Sequence, residues 1–180
     1  PVLANRAQIH HMQQRLPQAA AEYADPAEVA ARAGNLAAAK QWAEPGVQLA
    51  YQVQDFARAE RLWTVLGEVA RAGGDQAGLQ RALGERALLL INRSNSGADQ
   101  GLLAQAAALL TEQEAVCRAT SDWRGLAQCV GNRAIVQRYT GDLAGALTSV
   151  DEQLRLAQHL GDAQGALIAT ANRGELLGLL

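Results

Sequence analysis

The chain has 180 residues, of which 49% are hydrophobic and 19% are charged, so it has the material for a packed core and is not disordered throughout. Its net charge of −2 argues against nucleic-acid binding, and no apolar run is long enough to cross a bilayer, so we expect neither a nucleic-acid nor a membrane partner. Two cysteines are too few for a disulfide framework and no secretory signal is visible, which predicts a cytoplasmic location.

Alanine and leucine dominate the composition and aromatic residues make up only 4%, which favours helices over strands. The first predicted element is a helix over 4–15. A proline-interrupted, alanine-rich stretch follows, with short helices near 27–33 and 36–43, because all four prolines lie in the first 45 residues. Amphipathic patterns then predict the helix pairs 46–53 with 56–72, 76–92 with 100–118 and 123–139 with 143–158, and an unpaired helix over 163–177.

These patterns predict an all-α fold with two regions. We interpret residues 1–45 as a helical N-terminal segment that is a degenerate repeat. We interpret residues 46–180 as a helical repeat array that is a fragment of a longer array.

Internal repetition carries this interpretation. The dipeptide Asn132-Arg133 recurs as Asn172-Arg173 at an offset of 40 residues. An earlier copy of the unit, with Asp75, Gly78 and Arg86 in place of Asp122, Gly125 and Arg133, lies at an offset of 47. The excess of seven residues matches the polar stretch 94–100, which we expect to be an enlarged turn. The pattern Asp-x-x-Gly recurs at 75–78, 122–125, 142–145 and 162–165. A glycine ends one helix, the aspartate caps the next, and the second glycine predicts close helix approach.

Three segments of the array resemble tetratricopeptide repeats: LTEQEAVCR (110–118), GLAQCVGNRA (125–134) and TGDLAGAL (140–147). They are most similar to the longer units, about 40 residues each, of kinesin-light-chain-like and nephrocystin-like arrays. The resemblance implies a right-handed superhelical α-solenoid of antiparallel hairpins. It also implies that the first helix of each hairpin lines a concave groove that binds a peptide or a segment of a partner protein.

The family's pattern assigns groove positions to particular residues of this chain. Asn132 and Asn172 occupy one such position, and an asparagine there can pair with both the N–H and the C=O of a bound backbone. Glu85 is the equivalent residue of the earlier unit. Three further residues border the same groove, namely Gln128, Arg138 and Arg81. The alternative is that all six are ordinary surface residues, or that the two asparagines form hydrogen bonds to neighbouring helices.

Other conspicuous residues favour structural roles. We expect Arg86, Arg133 and Arg173 to form ion pairs between helices, and the tryptophans 42, 63 and 123 to pack in the core rather than anchor a partner. Cys117 and Cys129 are expected to be buried small hydrophobes.

No catalytic, cofactor or metal site is predicted. Lys40 is the only lysine and has no glycine-rich loop beside it, which excludes a standard nucleotide-binding loop, and the adjacent histidines 10 and 11 suit a metal poorly. The sequence therefore favours a non-enzymatic protein-interaction module without a cofactor. The alternative is a regulatory or sensor region of a larger signalling NTPase or effector protein. We also expect self-association through the exposed face of the final repeat.

Overall fold

The computed structural model describes residues 16–94 and 99–180, and the helix predicted over 4–15 lies outside this part of the chain. The described residues form eight α-helices and no strands, which confirms the all-α prediction. The helices are α1 (Leu16–Arg32), α2 (Leu36–Gln52), α3 (Phe56–Gly73), α4 (Gln76–Ser94), α5 (Gln100–Thr120), α6 (Trp123–Tyr139), α7 (Leu143–His159) and α8 (Ala163–Leu177).

The described residues fall into two compact units that divide between Ala82 and Leu83, within α4. In the first unit α2 packs against both α1 and α3, and α1 also contacts α3. In the second unit α5 packs against α6, α6 against α7, and α7 against α8. Consecutive helices therefore pack in sequence, and the arrangement is repeat-like. The expected boundary between residues 45 and 46 falls inside α2.

The helix junctions contain the predicted helix-ending glycines and capping aspartates. Gly74, Gly141 and Gly161 have φ angles of 71°, 85° and 66°, a left-handed conformation that glycine adopts without strain. At the junction between α5 and α6, Ser121 takes the same left-handed conformation, with a φ angle of 56°. The aspartate that follows each of these residues accepts a hydrogen bond from the backbone N–H three positions later, at 2.8–2.9 Å. The motif is therefore an N-cap at every copy.

The glycine inside each capping motif leaves room for its capping carboxylate, and at two copies also for the preceding helix: a Cβ would lie 3.0 Å from Cys117 Sγ at Gly125 and 2.6 Å from Gln137 Nε2 at Gly145. A Cβ built at Gly78 or Gly165 would lie 2.5 Å from the second carboxylate oxygen of its own capping aspartate. Atoms of the preceding helix are further away, at 3.3 Å for Gly78 and 3.4 Å for Gly165. The predicted close approach of helices is therefore confirmed at Gly125 and Gly145, while the capping carboxylate is the nearest neighbour at all four glycines.

The prediction that prolines interrupt the helices before residue 46 is wrong. Pro26 lies inside α1, so the helix predicted over 27–33 is the end of a longer helix. Pro45 lies inside α2, so the helices predicted over 36–43 and 46–53 form one continuous helix. An internal proline removes one backbone hydrogen bond and costs about 3 kcal/mol. Tertiary packing offsets this cost in α2, where Gly46 approaches α1 so closely that a Cβ would lie 2.8 Å from the Cβ of Tyr23.

The core of the second unit joins three consecutive helices. One cluster contains Ala134 of α6, Ala146 and Val150 of α7, and Ala169 and Leu176 of α8. All five are at most 4% exposed. Because one helix contributes to the packing of the helices on both sides of it, each hairpin depends on its neighbour for burial.

Candidate functional site

A cleft of the first unit lies between α2, α3 and the first turns of α4. Its volume is about 830 Å³, which is in the range of ligand-binding clefts. The walls are mainly apolar, with Leu36, Pro45 and Val47 from α2 and Leu66 and Val69 from α3. Four charged residues also line it, namely Lys40, Glu44, Asp75 and Arg81.

An aromatic and an arginine side chain meet in this cleft. Trp63 is only 6% exposed, which confirms its predicted core role, and its Nε1 donates to the hydroxyl of Tyr51 at 3.1 Å. The guanidinium carbon of Arg81 lies 5.4 Å from the centroid of the Trp63 ring, a cation–π distance. Arg81 is itself exposed, so the ring fixes the guanidinium while leaving its donors open to the cleft.

Lysine 40 brings a second positive charge to the cleft. Its ammonium lies 3.8 Å from Glu44, one turn further along α2, and both side chains are more than half exposed. Such an exposed pair is weak and exchanges readily for another acid. The capping carboxylate of Asp75 is already engaged, because it accepts from the Gly78 N–H at 2.8 Å. The cleft can therefore bind an apolar segment and engage a carboxylate beside it.

The other five predicted groove residues belong to the second unit, and the structure brings two of them together. Arg138 of α6 and Asn172 of α8 line one small cleft of about 130 Å³. Nη1 of Arg138 donates to Oε1 of Glu175 at 2.7 Å, and its guanidinium carbon lies 5.2 Å from the ring centroid of Tyr139. Arg138 is thus held by an ion pair across the cleft.

The remaining predicted residues lie on the same helices without sharing that cleft. Asn132 is half-buried and Gln128, one turn earlier on α6, is exposed. Glu85 is half-buried on α4. The structure therefore places Asn132 and Asn172 at equivalent points of α6 and α8, as their offset of 40 residues requires.

Sequence reasoning missed the apolar residues that accompany these polar ones. Tyr139 is 37% exposed and lies seven residues after Asn132 on α6, while Ile168 is 48% exposed and lies one turn before Asn172 on α8. Leu88, which is 38% exposed, follows Glu85 on α4. Of these, only Ile168 could have been found from the repeat, because it lies 40 residues after the predicted groove residue Gln128.

Of the three arginines predicted to form ion pairs between helices, Arg133 and Arg173 do so. Arg133 joins three helices, because it pairs with Glu114 of α5 and with Glu152 of α7, at 3.0 Å for the second pair. Arg173 pairs with Asp151 of α7 at 2.8 Å. Hydrogen bonds from Arg118 to Glu114 and Glu152 raise the pKa of Arg118, so the cluster keeps its charges.

The cysteines are buried and reduced, which confirms the expectation for them. Burial, strengthened by nearby carboxylates, raises the pKa of Cys117 to about 11. Burial likewise raises the pKa of Cys129 to about 12, and its thiol donates to the carbonyl of Leu110 at 3.2 Å. Neither thiol has the thiolate character of a nucleophile.

The core role predicted for Trp123 is wrong, because this side chain is 41% exposed.

Within residues 16–94 and 99–180 there is no helix both long and apolar enough to span a membrane. The same residues contain no group of three or more His, Cys, Asp and Glu side chains that could hold a metal ion. In comparisons with known proteins, no family model matches this chain. A search of curated proteins also finds no match.

Proposed function

We propose that this chain is a non-enzymatic interaction module that binds a peptide or an extended segment of a partner protein in a groove of a tetratricopeptide-like, right-handed array. The observation that carries the proposal is the cleft of about 830 Å³ between α2, α3 and α4, where Arg81 lies over Trp63. The internal repetition and the capping motifs of the helices support the family.

The chemistry of the cleft suits a peptide with an acidic residue beside apolar ones. The apolar walls contribute through burial of the ligand's side chains, at about 25 cal/mol per Å² of apolar surface. Arg81 and Lys40 supply donors for a carboxylate, and Arg81 is already oriented by the ring beneath it. In the second unit, Asn132 and Asn172 are proposed to hold the backbone of a ligand segment that binds to that unit.

The test is selection of peptides from a displayed random library on the 180-residue chain, followed by titration of the selected peptides. We expect acidic and apolar residues to be enriched, and the Arg81→Ala variant to weaken binding at least about tenfold. Arg32→Ala is the matched control, because Arg32 is an exposed arginine of the same unit that does not line the cleft.

The asparagines of the second unit are tested separately, with the Asn132→Ala and Asn172→Ala variants and those selected peptides whose binding does not depend on Arg81. Loss of binding in these variants, with intact circular dichroism, supports their assigned role. A library that yields no saturable binder, or selected peptides that bind the Arg81→Ala and Arg32→Ala variants equally, would refute the proposed cleft.

A further inference from the structure

The small cleft of the second unit, which α6, α7 and α8 line together, combines an apolar floor with a polar rim. The floor consists of three apolar side chains that are at most 4% exposed, Ala134, Val150 and Leu176. The rim consists of three polar side chains, Arg138, Asn172 and Glu175. The rim reaches solvent and the floor does not, so the two parts would contact different portions of a ligand.

An earlier copy of the same arrangement has an apolar rim. The five buried members of the cluster that contains the floor all have equivalents in the cluster of α4, α5 and α6, at an offset of 47 residues on α4 and of 40 on the other two helices. In that earlier cluster Ile91 stands where the small cleft has Arg138, and Ile135 stands where it has Glu175. Ile91 is only 1% exposed and Ile135 packs against the cluster. Apolar side chains thus fill these two positions in the earlier copy.

The charged pair leaves the space above the floor open because its two ends bind each other. Nη1 of Arg138 donates to Oε1 of Glu175 at 2.7 Å. The guanidinium carbon of Arg138 also lies 5.2 Å from the ring centroid of Tyr139. Moving the guanidinium down over the apolar floor would break both contacts and bury a charge, which is costly. The ion pair therefore holds both side chains at the rim.

The size of the small cleft limits what can enter it. Val150 is one methylene smaller than its equivalent Leu110, while Leu176 is one methylene larger than its equivalent Val136, so the two differences in the floor offset each other. The opening thus results from the rim, and its volume is about 130 Å³. An engineered apolar cavity of about 150 Å³ binds benzene. The small cleft therefore admits a branched aliphatic side chain but is too small for an indole ring.

The rim determines what accompanies that side chain. Arg138 and Glu175 neutralise each other, so the small cleft does not favour a charged side chain. The side-chain amide of Asn172 makes no hydrogen bond within the described part of the chain. Such an amide can pair with the N–H and the C=O of a peptide backbone at once. The ligand that fits is therefore an aliphatic side chain on a backbone with free peptide groups.

We propose that the small cleft holds one leucine, isoleucine or valine side chain of an extended segment whose backbone pairs with Asn172. The inference rests on the proposed function, because it names the side chain that a ligand segment of the second unit carries. Burial of this side chain against the floor supplies affinity. The Asn172 amide fixes the position of the backbone beside it.

The test uses the smallest ligand that has both features, which is leucine capped as N-acetyl-leucine methylamide. Carbon-13 methyl shifts of Ala134, Val150 and Leu176 in the 180-residue chain report binding, because these groups form the floor. We expect saturation with a Kd of about 1 mM, which is typical of a ligand of this size. Capped glycine lacks the side chain and capped tryptophan is too large, so both should bind at least about tenfold more weakly.

A double variant tests whether the ion pair keeps the small cleft open. Arg138→Ile with Glu175→Ile restores the apolar pair of the earlier cluster and should abolish the saturable shifts. The matched control is Arg173→Ile with Asp151→Ile, which removes an ion pair between α7 and α8 that does not line the small cleft. This control should leave the shifts unchanged.

A single variant tests the amide. Asn172→Ala changes a half-buried residue of the rim and should weaken binding of capped leucine at least about fivefold, because the backbone loses its hydrogen bonds. Asn92→Ala alters an exposed asparagine of the same unit that does not line the small cleft, and it should have no effect. Circular dichroism checks that every variant keeps its helices.

The outcomes distinguish this inference from the proposed function. Capped leucine that gives no saturable shift of the floor methyl groups, binding equal to that of capped glycine, or shifts that persist in the Arg138→Ile with Glu175→Ile variant would overturn the inference. Selected peptides test the groove separately. Peptides that bind through Asn172 but tolerate glycine at each of their apolar positions would support the groove and overturn the small cleft as its specificity site.

Discussion

Alanine placed at three helical glycines of the second unit meets three different surroundings. At Gly84 and at Gly131 the new Cβ would lie 2.5 Å from the side-chain nitrogen of a glutamine, while at Gly174 it would meet no atom within 4 Å. All three glycines lie inside helices and none has a positive φ. In each case the change to alanine favours the helix by about 1 kcal/mol.

The room available to the displaced glutamine decides the net effect. Gln113, opposite Gly84, is only 2% exposed, so it has to move within a packed core. Overpacking of this kind costs about 1–3 kcal/mol, and we expect Gly84→Ala to lower the free energy of unfolding by about 1 kcal/mol net. Gln153, opposite Gly131, is partly exposed and can rotate outward, so Gly131→Ala should change it by less than about 0.5 kcal/mol. Gly174→Ala should raise it by about 0.5–1 kcal/mol.

Urea titrations followed by far-ultraviolet circular dichroism measure these free energies. The double variant Gly84→Ala with Gln113→Ala identifies the contact, because shortening the glutamine removes the atoms that the new methyl group meets. We expect the two changes to couple by about 1 kcal/mol in a double-mutant cycle. Equal effects of alanine at all three glycines, or a Gly84→Ala variant as stabilised as Gly174→Ala, would refute this reasoning.

Three further predictions concern caps, ion pairs and thiols. Asp122→Ala removes the acceptor for the Gly125 N–H at 2.9 Å and should lower stability by about 1 kcal/mol in thermal unfolding; an unchanged midpoint would contradict the capping role. Arg133→Gln should cost about 1 kcal/mol at low salt, and less at high salt, because its pairs are partly exposed; a loss independent of salt would exclude this electrostatic origin. The raised pKa values of Cys117 and Cys129 stabilise the fold below pH 9, and this contribution should disappear as the pH rises from 9 towards 11–12; a Cys129→Ala variant should show a shallower decline, and identical declines would refute the assignment.

The features predicted best are those that depend on only a few neighbouring residues. A glycine, an aspartate and a second glycine define a helix end, a cap and the space for that cap, so the junctions at 74–78, 141–145 and 161–165 could be placed from sequence. The repeat offset then related helices that are far apart in the chain. Together these two signals account for most of the helix boundaries after residue 55.

The helix ends predicted at the prolines were wrong because tertiary packing decides whether a helix continues through a proline. Pro45 predicts a helix end when only its own hydrogen bond is considered. In the structure α2 continues through it and buries Ala39, Ala43 and Val47 against its neighbours. That gain depends on how close α1 comes to Gly46, and the closeness of two helices is not encoded in either one alone.

The candidate groove shows the same division between local and distant information. The offset identified Asn132 and Asn172 as equivalent positions, and the structure places them so. The offset did not reveal that Arg81 lies over Trp63, because that contact joins α3 to α4 across a junction and depends on the angle between these two helices. The exposed Ile168 was also missed, because an apolar residue type does not show by itself whether the side chain lies in the core or at the surface.

Differences between repeats carry as much information as their similarities, once contacts are known. From sequence, Ala171 in place of glycine and Leu177 in place of glutamine resemble neutral drift on a helix surface. In the structure the equivalent positions on α6 contact Gln153 and Ser149, so each difference changes which side chain can lie opposite. A changed residue on a repeated face therefore indicates which side chain can lie opposite it.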